Sequence, residues 1–397
     1  MMGRERKGAA IAGTSSGHSS LAFGGRWVWL LCGVGLIALA GALVVHPSEA
    51  RAAAAQDWSP FVLVTGLLLI GLVADRDGLF AAAGHRLARS APSGPALFVG
   101  ATVMVGLVTA LLNLDTSVAF LTPILIYAAR SRGGGEAPLL YGCLLLSNAA
   151  SLFLPGSNLT NLIVLGHFSV SGTTFLEQMW APALAALSVT ALVVAVMEHR
   201  SLRMRLPRPA RLAARADGPV IGLGLLAIVI STACMLVLRS PALPVLIVGV
   251  VAVGQRIATG HESGRRALGL LGVPILIGLF GVAVALGTLG RVWAGPETLL
   301  SHLNLWGTAA VAAVSSVLVN NLPAASLLAA RTPVHPYALL IGLNLGPNLF
   351  VTGSLAWLLW LQTARSADAR PSIAHACRLG VVVVPLSMVA ALLVLAR

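Results

Sequence analysis

Residues 111–123 read LLNLDTSVAFLTP: an apolar run that carries a carboxylate, Asp115, among Asn113, Thr116 and Ser117. An acid at the centre of a bilayer costs ~2.5–3.5 kcal/mol, so intramembrane acids mark ion or proton pathways by default. Of the 13 acids in the chain, Asp115 is the one expected inside an apolar segment, and no base is expected in a segment interior to pair with it. Such a carboxyl suits proton coupling during transport. A cation such as Na⁺ could use the same oxygens.

The other polar residues in apolar surroundings fall into two matched sets. The first tip is followed by 141–161, YGCLLLSNAASLFLPGSNLTN, with Asn148, Ser157, Asn158 and Asn161. A second tip, 317–329 (VLVNNLPAASLLA), carries Asn320 and Asn321. It is followed by 337–355, YALLIGLNLGPNLFVTGSL, with Asn344, Thr352, Gly353 and Ser354. Tyr141 and Asn148 match Tyr337 and Asn344 at one offset, while Gly156 and Ser157 match Gly353 and Ser354 one residue later. Each half therefore reads as a hairpin with an Asn-centred tip, followed by a span broken at a Gly/Ser/Asn cluster.

A break in a membrane helix frees backbone groups that water cannot reach. Short polar side chains can bond those groups, or bond a solute or ion lodged between the half-helices. Helix N-termini bring a partial positive charge to such a place. Singly, a Ser or Thr in a membrane helix bonds its own backbone, and an Asn holds two helices together. Matched clusters in two halves point instead to a binding site, with the residues named above, Tyr141, Gly156 and Tyr337 apart, as its fourteen candidates.

The elements that must position these residues follow from composition. Of 397 residues 57% are hydrophobic and 10% charged, with mean hydropathy +0.90; a soluble domain carries about 25% charged residues. Apolar runs recur from residue 27 to 396, many near the ~20 residues that span a bilayer as a helix. The fold class expected is an all-α polytopic membrane protein. Its segments are 27–46, 60–74, 96–129, 139–166, 179–197, 219–238, 241–254, 268–289, 301–330, 337–363 and 377–396.

If 96–129 and 301–330 are re-entrant hairpins and the rest cross once, the cytoplasmic parts are 1–26, 75–95, 130–138, 198–218, 255–267 and 364–378. Those parts hold every Lys and Arg of the 26 except Arg51, Arg239, Arg291, Arg331 and Arg397. That bias matches the positive-inside rule. Two full helices in place of a hairpin give the same count. The N-terminus is then cytoplasmic, the hairpins open to opposite sides, and the repeats are inverted. The chain divides into a cytoplasmic tail (1–26), a first repeat (27–197), a basic linker (198–218), a connecting span (219–240) and a second repeat (241–397).

The net charge of +13 is thus topological and does not imply nucleic-acid binding. The first apolar run is expected as an uncleaved helix rather than a signal peptide. Cys32, Cys143, Cys234 and Cys377 lack any metal-ligand or redox spacing and are expected as plain buried thiols. No metal site and no cofactor is expected. An intramembrane enzyme would need a convergent nucleophile and base, or two acids; with one membrane acid and histidines mainly at segment ends, that class is disfavoured.

At this point the residues resemble a known group, the ion-transporter superfamily. It comprises arsenite efflux permeases, sodium/proton antiporters of the same fold and divalent anion–sodium symporters of the citrate-transporter type. NLDTSVAFLTPILI (113–126) is similar to the first hairpin tip of the arsenite/antimonite permeases, and SNLTNLIV (157–164) to their first broken span. NNLPA (320–324) is similar to the second tip, and LGPNLFVTGSLAWLLWL (345–361) to the second broken span. The resemblance implies two opposed hairpins, with Asn113, Asp115, Thr116, Asn320 and Asn321 at the tips and Ser157, Asn158, Gly353 and Ser354 in the breaks. It also implies proton-coupled efflux of arsenite or antimonite across a bacterial plasma membrane. Asn148, Asn344 and Asn348 stand where those permeases tend to carry charges, which leaves Asp115 nearly alone as a proton carrier. The partners expected are a small inorganic solute, protons and the lipid bilayer; a homodimer stays open. The chain has no P-loop, so any ATPase would be a separate protein, and none is predicted.

Overall fold

The computed structural model describes residues 25–204, except His167 and Ser169, and residues 222–397. The tail 1–24 and the greater part of the basic linker lie outside the described residues. Regular structure among the described residues is entirely helical. The first half holds α1 (Arg26–Val45), α2 (Pro47–Arg76), α3 (Leu79–Ser90), the pair α4 (Gly94–Leu111) and α5 (Leu114–Ser131), the pair α6 (Ala137–Ala150) and α7 (Leu159–Leu165), then α8 (Gly172–Met197) and a single turn, α9 (His199–Leu202). After α10 (Leu223–Val237), the second half holds α11 (Ala242–Ala258), α12 (Gly264–Leu271), α13 (Val273–Val292) and α14 (Gly295–Ser301). It ends with the pair α15 (Leu305–Val319) and α16 (Asn321–Leu328), the pair α17 (Pro336–Leu345) and α18 (Leu355–Ser366), and α19 (Ile373–Leu395).

Among the described residues, six helical stretches are long and apolar enough to cross a membrane, with α6, α10, α11 and α15 as shorter apolar helices. The protein is a multi-pass membrane protein. Each apolar segment read from the sequence contains helix, with two differences of substance. Helix α2 begins at Pro47, well before the apolar segment at 60–74, because the Ala52–Ala55 run favours helix and the polar residues after it find partners inside the protein. The two hairpins also differ in build. α4 and α5 have 18 residues each, about 27 Å at 1.5 Å per residue, whereas α15 has 15 and α16 only 8.

The halves run through the same order of elements and exchange their first helices: α1 packs along α13, and α11 along α2. Both crossings depend on glycine. Gly35 of α1 lies against Gly278 and Gly281 of α13, and Gly66 of α2 against Leu246 and Gly249 of α11, with backbone meeting backbone. A Cβ at Gly281 would fall on the Gly35 carbonyl. Gly281→Val is therefore expected to lower stability by about 1–3 kcal/mol, read as a fall in melting temperature in detergent, whereas a bulkier residue at Gly41, which faces open space, is expected to have no effect.

Ion pairs gather the loops at the two ends of the bundle. At one end Arg76 pairs with Glu262 and Arg256 with Asp77, and His375 shares a hydrogen bond with Glu198. Arg130 donates to the Ala367 carbonyl at 2.7 Å and Arg132 to the carbonyls of Ala88 and Ala91. Segments 75–95, 130–138, 255–267 and 364–378 therefore meet at one end, and the α4–α5 hairpin opens there. At the other end of α13, Arg331 pairs with Glu297 at 2.6 Å and donates to the Arg291 carbonyl at 2.8 Å, and the α15–α16 hairpin opens there. Between the ends, Trp360 and Trp357 are fully buried, and their indole N–H groups donate to the carbonyls of Leu140 and Pro347 at 2.8 Å. A buried Trp of this kind keeps its apolar bulk and loses no hydrogen bond.

Candidate functional site

Both hairpin tips are helix N-caps made by asparagine. Asn113 is extended, and its Oδ1 accepts from the Thr116 N–H at 2.6 Å, starting α5. Asn320 has φ 76 and ψ 148, a backbone region nearly confined to glycine that costs about 1–3 kcal/mol. Contacts around it hold that conformation. Its Oδ1 accepts from the Leu322 N–H at 3.3 Å, its Nδ2 donates to the Thr352 carbonyl at 3.2 Å, and the Asn321 N–H donates to the Gly353 carbonyl at 2.8 Å.

Each tip is tied to the break in its own half by the same device. Ser157 donates its hydroxyl to the Ala110 carbonyl at 3.1 Å, and Thr352 donates to the Val317 carbonyl at 2.6 Å. Ala110 and Val317 both stand three residues before the tip asparagine. The helices that resume after the breaks start at Asn158 (α7) and Ser354 (α18). These caps share the offset of Tyr141 with Tyr337, so the one-residue slip read from the Gly-Ser pairs disappears. The N-cap sets the register here, because it is where the backbone re-enters the helix.

The two tips and two breaks meet around one cavity of about 60 Å³, several times the ~10–15 Å³ that one water needs. Its polar lining is Asp115, Asn158, Asn320, Asn321 and Ser354; its apolar walls come from α2, α5, α7, α12, α13, α16 and α18, with Phe120 the largest side chain. No basic side chain among the described residues lines it. Asp115 sits in the first turn of α5 and has no hydrogen-bond or ion-pair partner among the described residues. The Ser354 hydroxyl is buried at 3% exposure and likewise lacks a protein partner. Helices α5, α16 and α18 all direct their N-termini here, adding partial positive charge around Asp115, which itself stands in the first turn of α5.

The remaining candidates stand behind the cavity. Asn344 is the hub: its Oδ1 accepts from Ser151 and Asn158, each at 2.6 Å, and its Nδ2 donates to Asn161 Oδ1 and the Leu340 carbonyl, each at 2.8 Å. Asn161 donates to the carbonyls of Ser151 and Leu154, and Asn148 donates to Asn348 Oδ1 at 2.8 Å. Asn148, Asn161 and Asn344 thus satisfy the freed backbone and bind the two broken spans to each other. Ser117 lies within 3.3 Å of Ser147, and Thr116 packs against Gly71. Gly353 lies against Pro347, where no Cβ fits. None of the four cysteines lines the cavity.

One functional candidate escaped the sequence reading. Asp57 is 1% exposed inside α2, hydrogen-bonded to Ser326 of α16 and acted on by Arg291 of α13. Asp115 is therefore not the sole buried-segment acid, and a base does stand near the other one. Residues 47–59 average too polar for hydropathy to show them as part of a span; the Ala-rich helix pattern was the available signal.

The citrate transporter family model matches residues 26–359. Relatives include an arsenical pump membrane protein of Escherichia coli, 26% identical over 388 residues and covering 88% of this chain and 90% of that one. The arsenical pump membrane protein of strain K12 is 27% identical over 393 residues, with the same coverage. One from Yersinia enterocolitica is 26% identical over 358 residues, covering 82% and 83%. Among solved structures, the Alcanivorax borkumensis YdaH transporter superposes with a TM-score of 0.53 at 15% identity, over 93% of this chain and 97% of that one, and so shares the fold. The match spans both tips and both breaks, and it identifies the chain as a membrane transporter of the citrate transporter family and not an enzyme.

Proposed function

We propose that the protein is a secondary transporter of a bacterial plasma membrane, with its N-terminus in the cytoplasm, that exchanges protons for arsenite or antimonite. One observation carries this reading: the cavity joins both tips and both breaks, and among the described residues it presents amides, a hydroxyl and a single carboxyl without any base. Arsenite near neutral pH is a neutral solute with several hydroxyls, and each can pair with an Asn or Ser without a countercharge. A multiply charged anion would meet Asp115 with no cation to offset it. Asp115 carries the proton, and alternate opening of the cavity to either side moves the solute. The relatives named as arsenical pump membrane proteins support the same reading.

The second reading is a proton- or sodium-coupled anion transporter. It is favoured by the family description and by the helix N-termini that face the cavity. The two are separated by expression in cells that lack arsenite export. Arsenite tolerance, and pH-driven arsenite uptake into everted vesicles, are expected. Absence of both, together with uptake of citrate or another carboxylate, would replace the first reading by the second.

A further inference from the structure

Asp57 is a second interior carboxyl that the cavity does not use. Its Oδ2 accepts from the Ser326 hydroxyl at 3.1 Å, and the same hydroxyl lies 3.4 Å from the Leu322 carbonyl in its own helix. One hydroxyl proton has two acceptors, and a charged carboxylate is the stronger of them. Leu322 lines the cavity, and its N–H donates to Asn320 Oδ1. One turn of α16 thus connects Asp57 to the second tip.

The surroundings of Asp57 come from several elements. From α13, Arg291 donates to Gln56 Oε1 and to the Gly287 carbonyl, and it is the charged group that acts on Asp57. From α16 comes Ser326. From α7 comes the Ile163 carbonyl, which accepts from Gln56 Nε2 at 2.9 Å. Beyond Arg291 stands the Arg331–Glu297 pair. Helix α1 has no acid, His or Lys between residues 27 and 45, and the one charged residue of α11, Arg256, pairs with Asp77 at the far end of α2.

We propose that Asp57 is a positioning residue whose protonation releases the start of α16, and with it the second tip, from α2. A hydronium ion gives its proton to the carboxylate, an O–H bond forms and water is left. The Ser326 hydroxyl then turns to the Leu322 carbonyl, while Arg291 stays held by Gln56 and Gly287. The start of α16, with Asn320 and Asn321, becomes free to shift against α2 and α13, while its C-cap stays tied to α2 by the Gln56 Nε2 bond to the Ala329 carbonyl at 3.0 Å. The place of this step in a transport cycle rests on the proton-driven reading above; its test does not.

The test uses the full chain in lipid nanodiscs without any solute. Spin labels are placed on cysteines at the exposed positions Arg51 and Leu318, the latter two residues before the tip Asn320, with the four native cysteines replaced, and the distance distribution is recorded at about pH 5 and about pH 8. Two populations are expected, with their ratio changing about tenfold or more between the two conditions. Asp57→Asn is expected to hold the low-pH distribution at both, and Ser326→Ala to lose the pH response. A pH response that survives in both Asp57→Asn and Ser326→Ala overturns the proposal, as does a wild type with none. If Asp57→Asn does not fold, Ser326→Ala decides alone. Arsenite enters nowhere, so failure of arsenite transport and failure of this inference are separate results.

Discussion

Asp115→Asn is expected to leave the protein folded and to reduce pH-driven arsenite uptake into everted vesicles by about tenfold or more, which corresponds to at least about 1.4 kcal/mol. The substitution keeps size and hydrogen-bonding capacity but removes the group that can exchange a proton. Asp115 has no protein partner among the described residues, so its loss breaks no structural bond, and the melting temperature should stay within a degree or two of wild type. That separation makes the result informative. Asn at this position keeps the hydrogen-bonding groups that cradle the solute, so downhill exchange of labelled arsenite without a pH gradient should persist. Full proton-driven transport by the variant would remove Asp115 from the coupling step.

Asn344→Ala has the opposite signature. Four hydrogen bonds end on this side chain, and its removal leaves Ser151, Asn158 and Asn161 with buried polar groups to satisfy. A single interhelical bond in a membrane is worth about 0.6 kcal/mol on average. A buried donor or acceptor left without a partner costs about 1–3 kcal/mol. A loss of roughly 3 kcal/mol in stability follows, seen as a marked fall in melting temperature and in detergent-resistant yield. Asn344 Oδ1 also holds Nδ2 of Asn158, a cavity residue, so any folded fraction should bind solute less tightly. A variant as stable as wild type would show that water replaces the amide without cost, and the hub would lose its structural role.

Much of this architecture was legible in the residues. Hydropathy gave the helices, because a bilayer leaves little choice for a run of apolar residues. Asn113 and Asn320 were legible as tips, since short polar side chains cap the helices that must restart inside an apolar run. The distribution of arginines grouped the loops that the ion pairs Arg76–Glu262 and Arg256–Asp77 do bring together. The candidate site was legible as a set, but its internal division was not. Asn148, Asn161 and Asn344 have the same residue type and the same broken-helix setting as Asn158, Asn320 and Asn321. Only the three-dimensional arrangement shows that the first three point into the protein–protein network and the second three reach the cavity.

By itself, then, the sequence determined the solvent of this chain, the number and rough extent of its apolar segments, and the two paired punctuations that mark tips and breaks. These are local properties: hydropathy, chain-breaking residues and charge. The tertiary structure decided which of the polar residues share a cavity, that the two halves exchange their first helices through glycine contacts, and that Asp57 lies buried beside Ser326. Those depend on residues hundreds of positions apart, such as Asp57 with Ser326 or Asn148 with Asn348. No local signal encodes such pairs. A helix presents several faces, and packing alone chooses which of them meets a partner.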